Sequence, residues 1–197
     1  MYISLGGTCA VSNQIKNQKH HKTLPFDWTK ITLGQLKLVL KNDFKNYTDI
    51  VIHKYSDNHN SYILKNNYNV RFAHEVEKKY TLDEFKKKLE KRILKFDKIL
   101  SETKDEIKFI RFETAPYKQN YFAEFIELLN IIHKKKKKSC NIHIKLILHK
   151  SYYDKLDFFH NKIKINLNLY TIKTYFYDDF SQDWKYPNIN WYRILKS

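Results

Sequence analysis

Glycine, proline, methionine and cysteine are all scarce in this chain of 197 residues, with three, three, one and two copies. No P-loop and no glycine fingerprint for a dinucleotide can be built from so few glycines. No stretch is rich enough in Gly, Pro or Ser to act as a linker, which predicts a single domain over residues 1–197. Cys9 and Cys140 form neither a disulfide framework nor a zinc pair, and no paired-carboxylate motif occurs. No apolar run reaches the roughly 20 residues that cross a bilayer, and the first residues read as a strand rather than a signal peptide. These absences lead us to expect a reduced, cytoplasmic protein with no cofactor and no metal.

The chain does have charge, with 37 Lys+Arg against 21 Asp+Glu and a formal net charge of +16. Such an excess favours anionic partners. The lysines are spread widely, however, and abundant Lys, Asn, Ile and Tyr is also the usage of an AT-rich genome. The densest run, Lys134–Lys138, falls between a helix and a strand. It reads as a solvated connection, with polyanion contact as the functional alternative. At 42% hydrophobic and 16% aromatic, the composition is that of a globular protein.

Hydrophobic spacing predicts strands at Tyr2–Leu5, Ile107–Phe112, Ile142–His149 and Ile163–Ile172. It predicts helices over Ala10–Lys19, Leu33–Asp43, Thr81–Ser101 and Asn120–His133. Thr32 can cap the second helix, and Thr81 with Glu84 makes a capping box for the third. Residues 44–69 read as a poorly structured insert with short extended pieces, and Tyr68–Val76 as a strand or turn. Residues 183–197 read as an aromatic-anchored tail. Alternating strands and helices imply an α/β domain with a mainly parallel sheet and helices on both faces. Sites in such sheets form at the carboxyl ends of the strands.

Two of the three glycines are adjacent, in Ser4-Leu5-Gly6-Gly7-Thr8-Cys9. This is strand, tight turn and helix, with Cys9 in the helix's first turn. Amides at a helix N-terminus depress a thiol's pKa and hold an anion or oxyanion. Cys9 is therefore the candidate nucleophile, with Gly6, Gly7 and Thr8 the candidate oxyanion donors. The structural alternative is a strand–helix turn with a small buried cysteine. A phosphate ligand held on the turn is a third reading. Cys140 reads as structural, His20 and His21 as exposed, and His143 and His149 as ordinary strand residues. His53, Asp57 and His59 read as part of a solvated loop rather than a metal site.

Three segments, Ser4–Cys9, Pro25-Phe26-Asp27-Trp28 and Arg71-Phe72-Ala73-His74-Glu75, together resemble the putative papain-like cysteine peptidases of domain-of-unknown-function family 1796. The resemblance continues through Lys91–Phe96 and Phe109-Ile110-Arg111 to the Trp184–Trp191 tail. It implies a Cys/His site at Cys9 and His74, in proteins found in bacteria and large DNA viruses, and hence a host-cytoplasm location if viral. Glu75 stands where the family usually has aspartate. The alternation of strands and helices points to flavodoxin-like or esterase-like layering rather than the papain fold itself. Asp27 is the candidate to orient His74, or else caps its local turn; Glu75 and Glu113 are substitutes. Arg111 and Arg92 either bind an anionic substrate or pair with internal carboxylates. The expected function is a cysteine-dependent hydrolase on peptide or other acyl substrates. The alternatives are an acyltransferase or esterase on the same residues, or a non-catalytic basic module that binds nucleic acid or another polyanion.

Overall fold

The computed structural model describes residues 1–18, 21–57, 60–76, 81–104, 106–136, 140–156, 170–178 and 183–196. His20, His59, Lys137, Lys138 and residues 163–169 of the expected last strand lie outside them. The elements are β1 (Tyr2–Ser4), α1 (Cys9–Ile15), β2 (Thr29–Lys30), α2 (Leu33–Lys41), β3 (Ile50–Ser56), β4 (Ser61–Asn66) and β5 (Arg71–Val76). They continue with α3 (Leu82–Glu102), β6 (Glu106–Phe112), α4 (Tyr121–Lys135), β7 (Asn141–His149), a 3-10 turn (Lys150–Lys155), β8 (Tyr170–Tyr177) and α5 (Trp191–Lys196).

Four strands form the expected parallel sheet, in the order β1-β6-β7-β8. Period-two alternation splits its side chains between two faces. One carries Ile107, Phe109, Ile142 and Ile144 into the main core with Phe122, Phe125 and Leu129 of α4. The other carries Ile110, Phe112 and Ile147 into a second cluster with Ala10, Val11 and Ile15 of α1 and Trp191 and Ile194 of α5. Helices thus cover both faces, as the alternating pattern predicts.

A second sheet was not foreseen. It is antiparallel, four-stranded and ordered β2-β5-β4-β3. Much of the segment 44–69, read from sequence as poorly structured, is the β3–β4 hairpin. β3 hides itself from pattern reading because it lies at the sheet edge, and Val51, Ile52, His53 and Lys54 are all exposed. Asn60 and Asn69 turn the chain at positive φ, a conformation asparagine tolerates better than most residues where glycine is absent.

The helix starts follow side-chain chemistry. Thr32 and Gln35 form a reciprocal capping box on α2, and Thr81 and Glu84 do the same on α3. α3 buries Phe85, Leu89, Phe96 and Leu100, with Leu82 and Ile93 partly buried. Phe85 meets Phe72 of β5, and Phe96 meets Phe26 and Phe44. α3 therefore packs on the antiparallel sheet, which ties that sheet to the main core.

Candidate active site

The Gly6–Gly7 turn is fixed by its surroundings. Both residues have positive φ, +72° and +105°. A Cβ on Gly7 would sit 1.8 Å from the Phe112 carbonyl oxygen, and one on Gly6 2.3 Å from Ile31 Cγ2. Only glycine lets the end of β1 lie this close to the end of β6. The Leu5 N–H donates to Ile110 O at 2.8 Å and holds the two strand ends together.

Thr8 then caps α1, its hydroxyl accepting from the Ala10 N–H, and Cys9 is the first helical residue. The Gly6 N–H is spent on Ser4 Oγ at 3.0 Å, so this amide is no oxyanion donor. Among the described residues, the N–H groups of Gly7 and Thr8 donate to no protein acceptor. Two donors on the turn that carries the thiol thus lack a protein acceptor.

The thiol itself differs from the expectation. Cys9 is 9% exposed, and burial pushes its pKa up to about 12. The negative charge of Glu75 adds to the rise, while the cysteine's own N–H and Lys30 pull the other way. Burial outweighs the favourable helix N-terminus here, and the resting group is a neutral thiol.

His74 lies in β5 where the pairing with β4 slips: Leu64 pairs with Phe72, but Tyr62 pairs with Val76. β5 carries the extra residues of a bulge, and His74 has φ +61° within it. Bulges re-aim side chains in this way. The imidazole meets Trp28 at 6.3 Å and Trp184 at 5.0 Å between ring centroids, and the two indoles are 6.4 Å apart. Trp28 also reaches α1, its backbone N–H donating to Ser12 Oγ at 2.9 Å while Lys16 sits over its ring. Glu75, the residue after His74, acts electrostatically on Cys9. Trp28 thus links α1 to the β5 bulge.

The other candidates are placed as follows. Asp27 is buried and accepts from Ser12 Oγ at 2.9 Å and from the Leu24 N–H at 2.8 Å, with His21 Nε2 at 3.8 Å. These are the partners of a turn cap, and they join α1 to the Pro25–Trp28 segment. Burial raises its pKa to about 6 against the pull of those hydrogen bonds. Arg111 is 0% exposed, donating to Leu5 O and Ile31 O and pairing with Glu113 at 3.0 Å. It is a buried strut between the ends of β1, β2 and β6, and not a surface group for an anionic substrate. Arg92 is bidentate to Glu75, at 2.7 and 2.9 Å. Cys140 is buried, and His143 and His149 sit on β7 with Glu106 and Ser151 respectively as neighbours.

The sequence does not single out Ser12, and it brings in Trp28 and Trp184 only through the Pro25–Trp28 and Trp184–Trp191 segments of the resemblance; their packing with His74 arises only when β5 and the segment before α5 meet. No helix among the described residues is long and apolar enough to cross a membrane.

Residues 1–152 match the family described as "Putative papain-like cysteine peptidase (DUF1796)". The chain belongs to that family. Neither the curated proteins nor the solved structures contain a match to it. Trp184 lies beyond the matched residues.

Proposed function

We propose that this family member is a cysteine-dependent acyl hydrolase in which Cys9 is the nucleophile and His74 the general base. What supports the reading is a cysteine that opens a helix on a turn whose Gly7 and Thr8 amides lack a protein acceptor, together with a bulge that carries His74 beside Glu75, the carboxylate that acts on the thiol. Because the thiol rests protonated, this is not a preformed thiolate–imidazolium pair. Instead His74 takes the Sγ proton as Sγ attacks the carbonyl carbon. The Gly7 and Thr8 amide N–H groups donate to the developing oxyanion. The imidazolium then protonates the leaving amine or alcohol, leaving a thioester on Cys9. Water, deprotonated by His74, releases the acid and restores the thiol. Glu75 disfavours a resting thiolate, and Arg92 holds that carboxylate in place.

The test is covalent labelling of the full chain with p-nitrophenyl acetate, read by mass spectrometry site by site. The expected result is acetylation at Cys9 and not at Cys140, slowed roughly a hundredfold or more in His74→Ala with the circular dichroism unchanged. Labelling of Cys9 at equal rates with and without His74 overturns the reading, as does labelling that favours Cys140.

A further inference from the structure

The face of the parallel sheet under α1 and α5 is apolar only toward the carboxyl ends of its strands, where Ile110, Phe112 and Ile147 are buried. Toward the amino ends it turns polar. Pairing places Tyr2 opposite Lys108, Lys108 opposite His143, and His143 opposite Thr171, in one row across four strands. Two residues further along each strand, on the same face, Lys145 lies opposite Lys173. Neighbouring strands are only about 4.8 Å apart, so these groups crowd together. Parallel sheets usually bury apolar side chains on both faces, which makes this polar quarter an exception.

A cavity of about 250 Å³ opens there, lined by Lys108, His143, Lys145, Thr171, Lys173 and Glu106. Among the described residues Glu106 is its one acidic lining residue, and it already contacts Lys108 at 2.6 Å and His143 at 3.4 Å. Lys145 is 4% exposed. Its Nζ is held by the Tyr2 hydroxyl at 2.9 Å and the Ile194 carbonyl, and lies 4.8 Å from the Tyr2 ring centroid. These are neutral partners, which orient the ammonium without cancelling its charge. Burial disfavours that charge, as do Lys108 and Lys173, while Tyr175 and Glu106 favour it. A lysine kept only for solubility would extend into water; this one is fixed beneath two others.

We propose that this cavity is a binding site for a phosphate group. Lys145 donates from the floor, Lys108 and Lys173 from the rim, and Thr171 and His143 supply further donors. Among the described lining residues three lysines meet one carboxylate, a balance that a phosphate complements, and the cavity's size suits one phosphoryl group rather than a long tract of backbone. The site lies at the amino ends of the strands, away from the Cys9 turn at the carboxyl ends, and does not depend on how Cys9 functions. The phosphate can come from a small phosphorylated molecule or from a nucleic-acid strand.

The test is isothermal titration of the full chain with inorganic phosphate at constant ionic strength, against a chloride blank. Wild type is expected to bind one phosphate per chain. The Lys108→Ala/Lys173→Ala variant is expected to bind roughly tenfold or more weakly, through loss of two charge-assisted hydrogen bonds. Lys87→Ala/Lys91→Ala on the exposed face of α3 removes the same charge elsewhere and should bind as wild type, as should Cys9→Ala. Phosphate heats indistinguishable from chloride overturn the proposal, and so does equal weakening in the two double variants. A short single-stranded oligonucleotide separates the sources. If it displaces phosphate, the site accepts backbone phosphates; if it leaves phosphate bound, the site serves free phosphorylated molecules. Oligonucleotide binding that depends on Lys108 and Lys173, in a protein that ignores phosphate, overturns the proposal in favour of a polynucleotide surface.

Discussion

The two sheets of this protein are built to different standards. The parallel sheet runs from β1 to β8 with unbroken register, whereas the antiparallel sheet slips register twice, once between β3 and β4 and once between β4 and β5. Backbone strain follows the same division. Trp28, Asp43, Phe44, Asn46, Asn60, Asn69 and His74 all have positive φ within or beside the antiparallel sheet. Tyr186 is the one such non-glycine residue elsewhere among the described residues. Asparagine accommodates that conformation readily, but bulky Trp28 does so at a cost, and His74 at a smaller one. The regular sheet holds the glycine turn at the end of β1, and the irregular one carries the His74 bulge. In the proposed reaction this is a division of labour, with nucleophile and amides on the ordered side and base on the strained side.

The sharpest way to break that arrangement is on the ordered side. Gly7→Ala puts a Cβ 1.8 Å from a main-chain oxygen that neighbouring strands hold in place, at φ +105°. Overpacking and backbone strain together should cost on the order of 5 kcal/mol. Urea unfolding of the variant is expected to show little or no folded baseline. A loss under about 1 kcal/mol would mean that the ends of β1 and β6 can separate, and that the turn is not rigid.

The junction between the two sheets should report through pH. Asp27 has a folded pKa near 6, against about 3.9 in an unfolded chain. Between those values the folded state holds the proton more tightly, so the unfolded state binds fewer protons. This group's contribution to stability is therefore highest below about pH 4, falls as pH rises through the window, and stays low above about pH 6. The span is on the order of 2–3 kcal/mol. Asp27→Asn, which keeps an acceptor for the Leu24 N–H, should flatten that part of the stability–pH curve. An unchanged slope in the variant would assign the titration to another group.

How much of this was legible in advance divides along the same line. The parallel sheet and α2–α4 could be read because Ile107–Phe112 and Ile142–His149 alternate and because Thr32 and Thr81 announce helix starts. The antiparallel sheet could not, since an edge strand exposed on both faces and turns made of asparagine carry no period. At the candidate site, Gly6-Gly7-Thr8-Cys9 showed where the turn is but not the state of the thiol. That state depends on burial and on Glu75, which is 66 positions away in sequence. The sequence allows Asp27 and Arg111 two readings each, and the partners they take come from elsewhere in the fold: Ser12 for Asp27, and Leu5, Ile31 and Glu113 for Arg111.

The finest test of the comparison asks whether the strain at His74 is real and separable from its chemistry. His74→Ala and His74→Gly both remove the imidazole and its packing against Trp28 and Trp184, so that loss cancels between them. What differs is the backbone. Alanine must still adopt φ +61°, which glycine does freely, although glycine gives up more conformational entropy on folding. If the β5 bulge persists, His74→Gly should be more stable than His74→Ala by about 1 kcal/mol in urea titration, while both lack the wild-type labelling rate at Cys9. If alanine is the more stable of the two, β5 has relaxed to an ordinary strand once the histidine is gone. In that case the side chain holds the bulge, and the bulge is not an independent mount that aims it.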